Sequence, residues 1–209
     1  MKLIIFGSTG GTGRELVRQA LSQGHDVTAF ARHPTKIGLE HEDVTIVQGD
    51  VTEAAAVRDA VPGHDAVLCA LGAPALVRTT VRTNGTRNIV AAMEDAGVRR
   101  LVCQSSLGVG DSLAVPMPLY VKLVFPVVLR RAFADHAGQE LLIRQSKLDW
   151  TIIRPTKMAD GERTGAYRRG LTDTKEKIKV KISRADVADF MLRQLTDDSY
   201  LRLAPWVSY

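Results

Sequence analysis

A short apolar strand that runs into three evenly spaced glycines limits what this chain can fold into more than any other feature. Lys2–Phe6 has the composition of a buried parallel strand, and residues 7–13 after it follow the pattern Gly-x-x-Gly-x-x-Gly. The amphipathic residues 14–21 then predict a helix that starts at this turn. Such a turn holds a dinucleotide pyrophosphate against backbone N–H groups and the positive end of a helix dipole. Because a strand precedes the glycines and a helix follows them, dinucleotide binding is favoured over a merely tight strand-to-helix turn.

Length and charge narrow the class of protein further. The chain has 209 residues and a net charge of +5, and its length fits one domain, residues 1–209, with a sizeable core. No run approaches the roughly 18 apolar residues that a membrane span requires, and the first residues read as a strand, so we expect neither a membrane helix nor a signal peptide. The basic residues are scattered, without helix-turn-helix or zinc-finger spacing, so the positive charge favours anionic cofactors and substrates over nucleic acid.

Both cysteines, Cys69 and Cys103, lie within apolar strand-like runs. This setting favours buried thiols over a disulfide or a metal-binding pair. We therefore expect no metal site, and the reducing cytoplasm is the expected location.

Strand-like and helix-like segments alternate along most of the chain. The predicted strands are residues 2–6, 25–31, 44–48, 66–71, 100–104 and 150–153, the last ending before Arg154, with a shorter basic piece at 178–182. The predicted helices are residues 14–21, 53–60, 81–96, 119–146 with a break near Pro126, and 185–195 with Ser183 as N-cap. Apolar strands that alternate with helices are typical of a parallel sheet covered on both faces. We therefore predict a doubly wound α/β sheet, that is, a Rossmann fold.

Ligands of a doubly wound sheet bind at the carboxyl ends of its strands. The residues that directly follow the predicted strands are therefore the first candidates for the site. They are Arg32, Asp50, Gly72, Ser106 and Pro155.

The end of the second strand indicates which dinucleotide is preferred. An acidic residue there bonds a ribose 2′-hydroxyl, whereas an arginine accommodates a 2′-phosphate. Arg32 and Lys36 are present and no carboxylate precedes Glu40, so NADPH is favoured over NADH. Asp50, at the end of the third strand, has two interpretations, as a partner of the adenine amino group and as a helix N-cap.

Motifs spread over nearly the full length resemble those of the atypical short-chain dehydrogenase/reductases, and within them the biliverdin-IXβ reductase and flavin reductase type. The glycine turn, Gly49-Asp50-Val51 and Leu71-Gly72 are shared across that superfamily. Residues 87–93, 164–167 (Thr-Gly-Ala-Tyr) and 189–193 also match, and the last two are more specific to this branch. Proteins of this type use NADPH to reduce flavins, biliverdins and quinone-like acceptors, so the resemblance implies a similar oxidoreductase.

The resemblance also implies roles for individual residues. Ser106 matches a serine that faces the nicotinamide, and His136 matches a position often held by lysine or histidine, so these two are the candidate catalytic residues. From the residues alone, Ser106 is equally a cap of its turn and His136 a surface histidine. The best-known member has a histidine where this chain has Thr156, which makes Lys157 a candidate replacement for a proton donor. The implied cofactor-binding residues are Gly7, Thr9, Gly10, Gly11, Thr12, Gly13, Arg32, Lys36, Asp50, Val51, Leu71, Gly72, Pro155 and Thr156.

The Tyr-x-x-x-Lys pair of mainstream short-chain dehydrogenases is missing, since Val124 stands where a lysine would follow Tyr120. Hydride transfer needs the nicotinamide held against the acceptor, and the companion proton for a flavin or tetrapyrrole can come from solvent. We expect an NADPH-dependent reductase of a planar conjugated acceptor, a monomer or small homo-oligomer, with a pocket lined by residues 107–120 and 157–167. The alternatives are an NADP-sensing regulator of the NmrA-like kind, and an epimerase using bound NAD, which would need an acidic residue near position 32.

Overall fold

The first strand is buried on both faces, as expected for the middle of a parallel sheet. The structure, a computed structural model, describes residues 1–38, 43–74, 77–118, 127–172, 174 and 178–209. Leu3 and Ile5 point into one core, and Ile4 and Phe6 into another on the opposite face. The predicted positions 119–126, with Tyr120 and Pro126, lie outside the described ranges.

Within those ranges, eight strands form one sheet, which is parallel except at one edge. They are β1 Lys2–Phe6, β2 Asp26–Ala31, β3 Val44–Gln48, β4 Ala66–Cys69, β5 Arg100–Gln104, β6 Asp149–Pro155, β8 Arg168–Gly170 and β10 Trp206–Ser208. Their order is β3-β2-β1-β4-β5-β6-β10-β8, and only the β10–β8 pair is antiparallel. Two short strands, β7 Met158–Ala159 and β9 Ile182–Ser183, pair separately. The predicted doubly wound sheet is confirmed.

Helices cover both faces of the sheet. They are α1 Gly11–Ser22, α2 Ala54–Ala60, α3 Val81–Ala96, α4 Arg130–Gln145 and α5 Arg184–Arg193. Helix α1 packs on α5 over one face, whereas α3 packs on α2 and α4 over the other. Each face has its own apolar core, represented by Leu16 and Phe190 on the first and by Ile89 and Ile143 on the second. The parallel strands, all of the sheet except β8, therefore deliver their carboxyl ends to one open edge between the two helical layers.

The predicted end of the sixth strand is wrong. Strand β6 continues through Arg154 and Pro155. The Arg154 N–H donates to Pro205 O at 2.9 Å, and Trp206 and Val207 of β10 pair with Arg154 and Pro155. The strand continues because β10 supplies a neighbour and because the Arg154 charge is paired. The predicted strand at 178–182 is also shorter than expected, since the strand comprises only Ile182–Ser183, although Lys179 and Lys181 make backbone hydrogen bonds to Tyr209.

The start of α5 is fastened by one buried carboxylate. Ser183 is the N-cap, as predicted, and its hydroxyl accepts the Asp186 N–H at 3.0 Å. The Asp186 carboxylate accepts the backbone N–H groups of Thr164 and Gly165, each at 2.8 Å, and the Tyr209 hydroxyl at 2.7 Å. Residues 164–167 are thus held on α5.

We predict that Asp186→Asn lowers stability at neutral pH and flattens its dependence on acid. Burial alone would raise the pKa of Asp186, but hydrogen bonds from Gly165, Tyr209 and Thr164 outweigh it and hold that pKa below 3.8. The charged form therefore contributes stability above the unfolded pKa, and the contribution disappears as the pH falls through the folded pKa. Hydrogen bonds to a charged group contribute about 1.5–3 kcal/mol, which is the expected loss at pH 7.

The measurement is the free energy of unfolding in urea from pH 7 to pH 3. Asp59→Asn, on the exposed surface of α2, is the matched control because it removes one carboxylate outside this network. An Asp186→Asn profile parallel to that of the unmodified chain would contradict the assignment.

Candidate cofactor and acceptor site

A cleft lies along the carboxyl ends of the parallel strands, in two adjoining parts. The β2 part has a volume of about 430 Å³ and is bordered by Arg32 and Lys36 at its outer side. The β6 part has a volume of about 270 Å³ and extends to Pro155 and Thr156. Both parts are lined by Gly10 and by residues 70–73, so they form one path across the strand ends.

Close contacts between the glycine turn and β4 shape the middle of this cleft. Gly7 has a φ of +82°, and a Cβ there would lie 2.4 Å from Ala70 O. A Cβ on Gly13 would lie 2.0 Å from Gly7 O, so α1 starts directly against the strand. The buried Ser8 hydroxyl donates to Phe30 O at 3.0 Å and ties the turn to β2. The N–H groups in the first turn of α1 have no partner within the helix, so the turn has the geometry that an anionic pyrophosphate requires.

The β2 part carries the two cations that the sequence predicted. The Arg32 side chain is 62% exposed, and its Nη1 lies 3.8 Å from Asp50 Oδ2, a distance that leaves the guanidinium able to bind another anion. The Lys36 carbonyl accepts a hydrogen bond from Arg14 at 2.9 Å, which fixes the backbone there. Arg32 and Lys36 both border the cleft beside Val51.

Asp50 itself does not line either part of the cleft. Its Oδ1 accepts the Thr52 N–H at 2.8 Å and the Thr52 hydroxyl at 2.7 Å. The Thr52 backbone hydrogen bond is the main cause of a pKa below the ordinary value for Asp50, and Arg32 adds to it. Since the N-cap of α2 is Glu53, the predicted helix-capping role of Asp50 is wrong, and the carboxylate instead closes the turn before α2.

The β6 part brings together residues from seven different elements, namely α1, α3, α4, α5, β5, β6 and β7. Of the predicted site residues, it gathers Gly10, Gly11, Thr12, Leu71, Gly72, Ser106, His136, Pro155 and Thr156. The β2 part gathers Gly7, Thr9, Gly10, Arg32, Lys36, Val51, Leu71 and Gly72. Apart from Asp50, only Gly13 borders neither part, because it lies beneath the turn.

Three buried polar atoms at the β6 part have no hydrogen-bond partner. They are Arg82 Nε, Gln104 Oε1 and Thr156 Oγ1, and each residue is more than nine-tenths buried. An unpaired buried polar group costs about 1–3 kcal/mol, and three residues with such an atom line this one cavity, which favours a polar ligand there. Gln19, Arg154 and Gln194 each have a similar unpaired atom away from the cleft. Together the three atoms at the cavity offer a donor, an acceptor and a hydroxyl, which suits the carboxamide of a nicotinamide and a further polar group.

Sequence reasoning missed three cleft residues, Arg82, Gln104 and Arg184. Arg82 reads as a solvated arginine on a helix, yet it is buried. Gln104 does leave a signal, since it is a polar residue at the end of an otherwise apolar strand. Arg184 starts α5 and lies across the glycine turn, since a Cβ on Gly11 would be 2.4 Å from its Cδ. Its Nη1 also lies 2.6 Å from Asp160 Oδ1.

An ion pair between α3 and α4 holds Arg82 in place. Its Nη1 donates to Asp135 Oδ2 at 3.3 Å. The same carboxylate accepts the Arg82 and Thr83 backbone N–H groups at 3.2 and 2.9 Å, and so caps the start of α3. Both side chains are almost fully buried. The guanidinium is therefore a fixed positive charge at the β6 part of the cleft.

His136 lies beside this charge and is itself buried. Its Nδ1 is 3.4 Å from Gln139 Oε1. Burial is the main cause that lowers the pKa of His136 to about 4, and the Arg82 guanidinium is the second cause. Near pH 7 the ring is neutral and serves as a hydrogen-bonding group, so its catalytic role stays a prediction.

A second buried ion pair supports the strand ends beneath Ser106. Arg154 donates to both oxygens of Glu140, from Nε at 2.9 Å and from Nη2 at 2.6 Å. The Ser105 hydroxyl donates to Glu140 Oε1 at 2.7 Å, so the turn after β5 is tied to α4 and β6. Ser106 donates to Leu107 O at 3.2 Å, which leaves its oxygen lone pairs available at the cleft.

The predicted lining of the acceptor pocket differs from the structure. Of residues 107–118, none borders either part of the cleft, because Leu107 and Val115 pack with Ile178 and Trp206 in a small apolar cluster. Residues 119 and 120 lie outside the described ranges. Of residues 157–167, only Met158 lines the β6 part. Lys157 is exposed and outside that lining, so the structure does not support it as a proton donor there.

The two cysteines lie side by side, since Cys69 of β4 pairs in register with Cys103 of β5. Both are buried free thiols, as predicted. Within the described ranges, no group of three or more His, Cys, Asp or Glu side chains is arranged to hold a metal ion. No helix in the same ranges is long and apolar enough to cross a bilayer.

The chain is similar to several known proteins. A family model described as NAD(P)H-binding matches residues 7–198. The uncharacterized protein YwnB of Bacillus subtilis is 30% identical over 204 residues, which cover 93% of this chain and 92% of YwnB. The photosystem II assembly factor Ycf39 of Synechocystis is 29% identical over 97% of this chain, which spans only 60% of Ycf39.

A solved structure of ChuY, an anaerobilin reductase from Escherichia coli O157:H7, matches with a TM-score of 0.79. The match covers 100% of this chain and 97% of ChuY, at 24% sequence identity. At that identity the likeness establishes the shared fold.

We predict that His136 stays neutral down to about pH 4. Two-dimensional NMR of the imidazole nitrogens between pH 8 and pH 3 measures this pKa directly, with His136→Gln used to assign the signal. Arg82→Met should raise the pKa, because removing a nearby positive charge favours the imidazolium. A His136 midpoint near 6.5 in the unmodified protein would contradict the buried, neutral ring.

Proposed function

Because the chain belongs to the NAD(P)H-binding family, and because its motifs resemble those of the atypical short-chain dehydrogenase/reductases, we propose that it is an NADPH-dependent oxidoreductase. The hydride acceptor in this proposal is a flavin, a biliverdin or a similar planar conjugated molecule. The observation that supports it best is the cleft, which runs from two exposed cations at β2 to unsatisfied polar atoms buried at the ends of β5 and β6.

The β2 part of the cleft fits the adenosine half of the cofactor. Phe30, Gly49 and Val51 offer a largely apolar wall for the adenine. Arg32 and Lys36 lie where a 2′-phosphate would be placed, and charge-assisted hydrogen bonds to it would favour NADPH over NADH. The glycine turn between the two parts fits the pyrophosphate, because side chains are missing where its oxygens must approach the backbone.

The β6 part fits the nicotinamide. The Thr156 hydroxyl can donate to a carboxamide oxygen, and Gln104 Oε1 can accept from the carboxamide nitrogen, which would satisfy two of the three unpaired atoms. Leu71 and Pro155 supply apolar surface beside them. NADPH, when bound, supplies the hydride from its nicotinamide ring.

Ser106 and His136 are proposed to position the acceptor over that ring. The Ser106 oxygen can accept a hydrogen bond from it, and the neutral His136 ring can both donate and accept. Neither residue delivers a proton from a charged form near pH 7, so the companion proton would come from solvent. This chemistry suits conjugated acceptors, whose reduced forms are protonated readily in water.

A non-catalytic NADP sensor is the second candidate. The absence of the Tyr-x-x-x-Lys pair in the sequence favours it, as does the neutral state of His136 near pH 7. One relative, Ycf39, is named as a photosystem II assembly factor and not as a reductase. A sensor would bind NADP⁺ and NADPH equally well without turning over.

The experiment that separates the two follows the loss of NADPH absorbance in the presence of FMN, riboflavin, biliverdin or a quinone, with NADH as the comparison. Turnover of at least one acceptor, faster with NADPH, is the expected result. Tight binding of NADP⁺ with no turnover of any acceptor would replace the reductase proposal by the sensor.

We predict that Arg32→Asp weakens binding of NADPH at least tenfold, about 1.4 kcal/mol, and leaves NADH nearly unchanged. The new carboxylate would stand beside Asp50 and repel a 2′-phosphate, which NADH lacks. Dissociation constants for both cofactors, measured by titration calorimetry, check this. Arg58→Asp, on the exposed surface of α2, is the matched charge reversal and should change neither value. Equal losses for both cofactors in Arg32→Asp would show that Arg32 does not bind the phosphate.

A further inference from the structure

We propose that Arg82 forms an anion subsite at the β6 part of the cleft, and that the acceptor of this protein carries a carboxylate which binds there. The inference rests on the proposed reductase function for its choice of ligand. Arg82 was not among the residues that sequence or resemblance assigned to the site.

The first observation is the state of the guanidinium. Arg82 is 94% buried and lines the cavity, yet its Nε has no hydrogen-bond partner. Its Nη1 is held by Asp135 at 3.3 Å, and its Nη2 makes only a long contact of 3.4 Å to Ala73 O. A buried cation with an unused donor beside an open cavity favours a negatively charged ligand.

The second observation is that Arg82 shares Asp135 with other hydrogen-bond donors. Its Oδ1 accepts the Thr83 N–H at 2.9 Å and the Thr83 hydroxyl at 2.8 Å, and its Oδ2 is shared between the Arg82 backbone and side chain. The carboxylate is therefore also occupied in capping α3, where the positive end of the helix dipole favours it. The pair is neutral as a whole, and Arg82, its positive member, is the one that lines the cleft.

The third observation is how the other charges of the cleft are distributed. The cofactor phosphates fit the glycine turn and the Arg32 side of the cleft, and Arg184 lies over Gly11 at that turn. The nicotinamide carboxamide is uncharged and is matched by Gln104 and Thr156. The third unpaired atom, Arg82 Nε, is then left for a group of the acceptor. Because a guanidinium binds a carboxylate with directional, charge-assisted hydrogen bonds, a carboxylate is the acceptor group that fits best.

Equilibrium binding to the NADP⁺-loaded protein tests this without relying on turnover. Biliverdin and its dimethyl ester are the probes, because they differ only in two carboxylates, and quenching of tryptophan fluorescence reports their binding. We expect the free acid to bind at least tenfold tighter than the ester, and we expect this ratio to fall to about one in Arg82→Met. Since Arg82→Met leaves Asp135 buried without its partner, the double variant Arg82→Met/Asp135→Asn removes both charges and provides the second measurement.

Arg87→Met is the matched control, because Arg87 is an exposed arginine on the same helix whose Nη1 bonds only Asn84 Oδ1 at 2.9 Å. It should keep the full preference for the acid. The subsite is overturned by equal affinities of acid and ester in the unmodified protein, by a preference that survives in both Arg82 variants, or by binding of neither pigment. If the reductase proposal alone fails, the result is different from failure of the subsite. NADPH then remains unoxidised, whereas the preference for the acid and its dependence on Arg82 persist.

Discussion

The close approach of the glycine turn to β4 is the constraint on which the rest of the cleft depends. Gly7 reaches Ala70 O so closely that no side chain fits between them, and Gly13 lies directly on the Gly7 carbonyl. These contacts bring the first turn of α1 against the carboxyl edge of the sheet, where its unpaired N–H groups face the cleft. The β2 and β6 parts meet at this point, so a dinucleotide whose pyrophosphate is held there would extend into both parts. A β-carbon at Gly7 or Gly13 would push α1 away from the sheet and separate the two parts of the cleft.

Two buried arginines organise the far end of the cleft in different ways. Arg154 forms ion pairs with Glu140 and Asp111 and fixes the ends of β5 and β6 to α4, so its charge has a structural role. Arg82 is bound by a carboxylate that also caps α3, and one of its donors remains unpaired at the cavity. A buried charge is costly unless it is paired and hydrogen-bonded. Both arginines keep one unpaired buried nitrogen, Arg154 Nη1 and Arg82 Nε, but of the two only Arg82 lines the cavity, so only its incomplete pairing can be relieved by a ligand there.

Much of the fold could be predicted because it depends on local patterns, whereas the missed features depend on distant partners. Residues 81–96 and 100–104 have apolar periodicity strong enough to define α3 and β5 to the residue. Strand β10 has three residues and exists because β6 lies beside it, which no local pattern reveals. The positions after the strands identified most of the cleft, since parallel topology brings those positions to one edge. Burial of Arg82 could not be foreseen, because it depends on Asp135, 53 residues further along the chain.

The position of β10 in the sheet makes residues 205–207 part of the support of the cleft. Val207 O accepts the Thr156 N–H, and Pro205 O accepts the Arg154 N–H, so the floor of the β6 part is closed by residues near position 207. The glycine turn is built from residues 7–13, but α1, which starts at that turn, packs on α5 at residues 184–193. Both parts of the cleft therefore depend on residues after position 183, and shortening the chain there would remove support from the glycine turn and from the β6 part together.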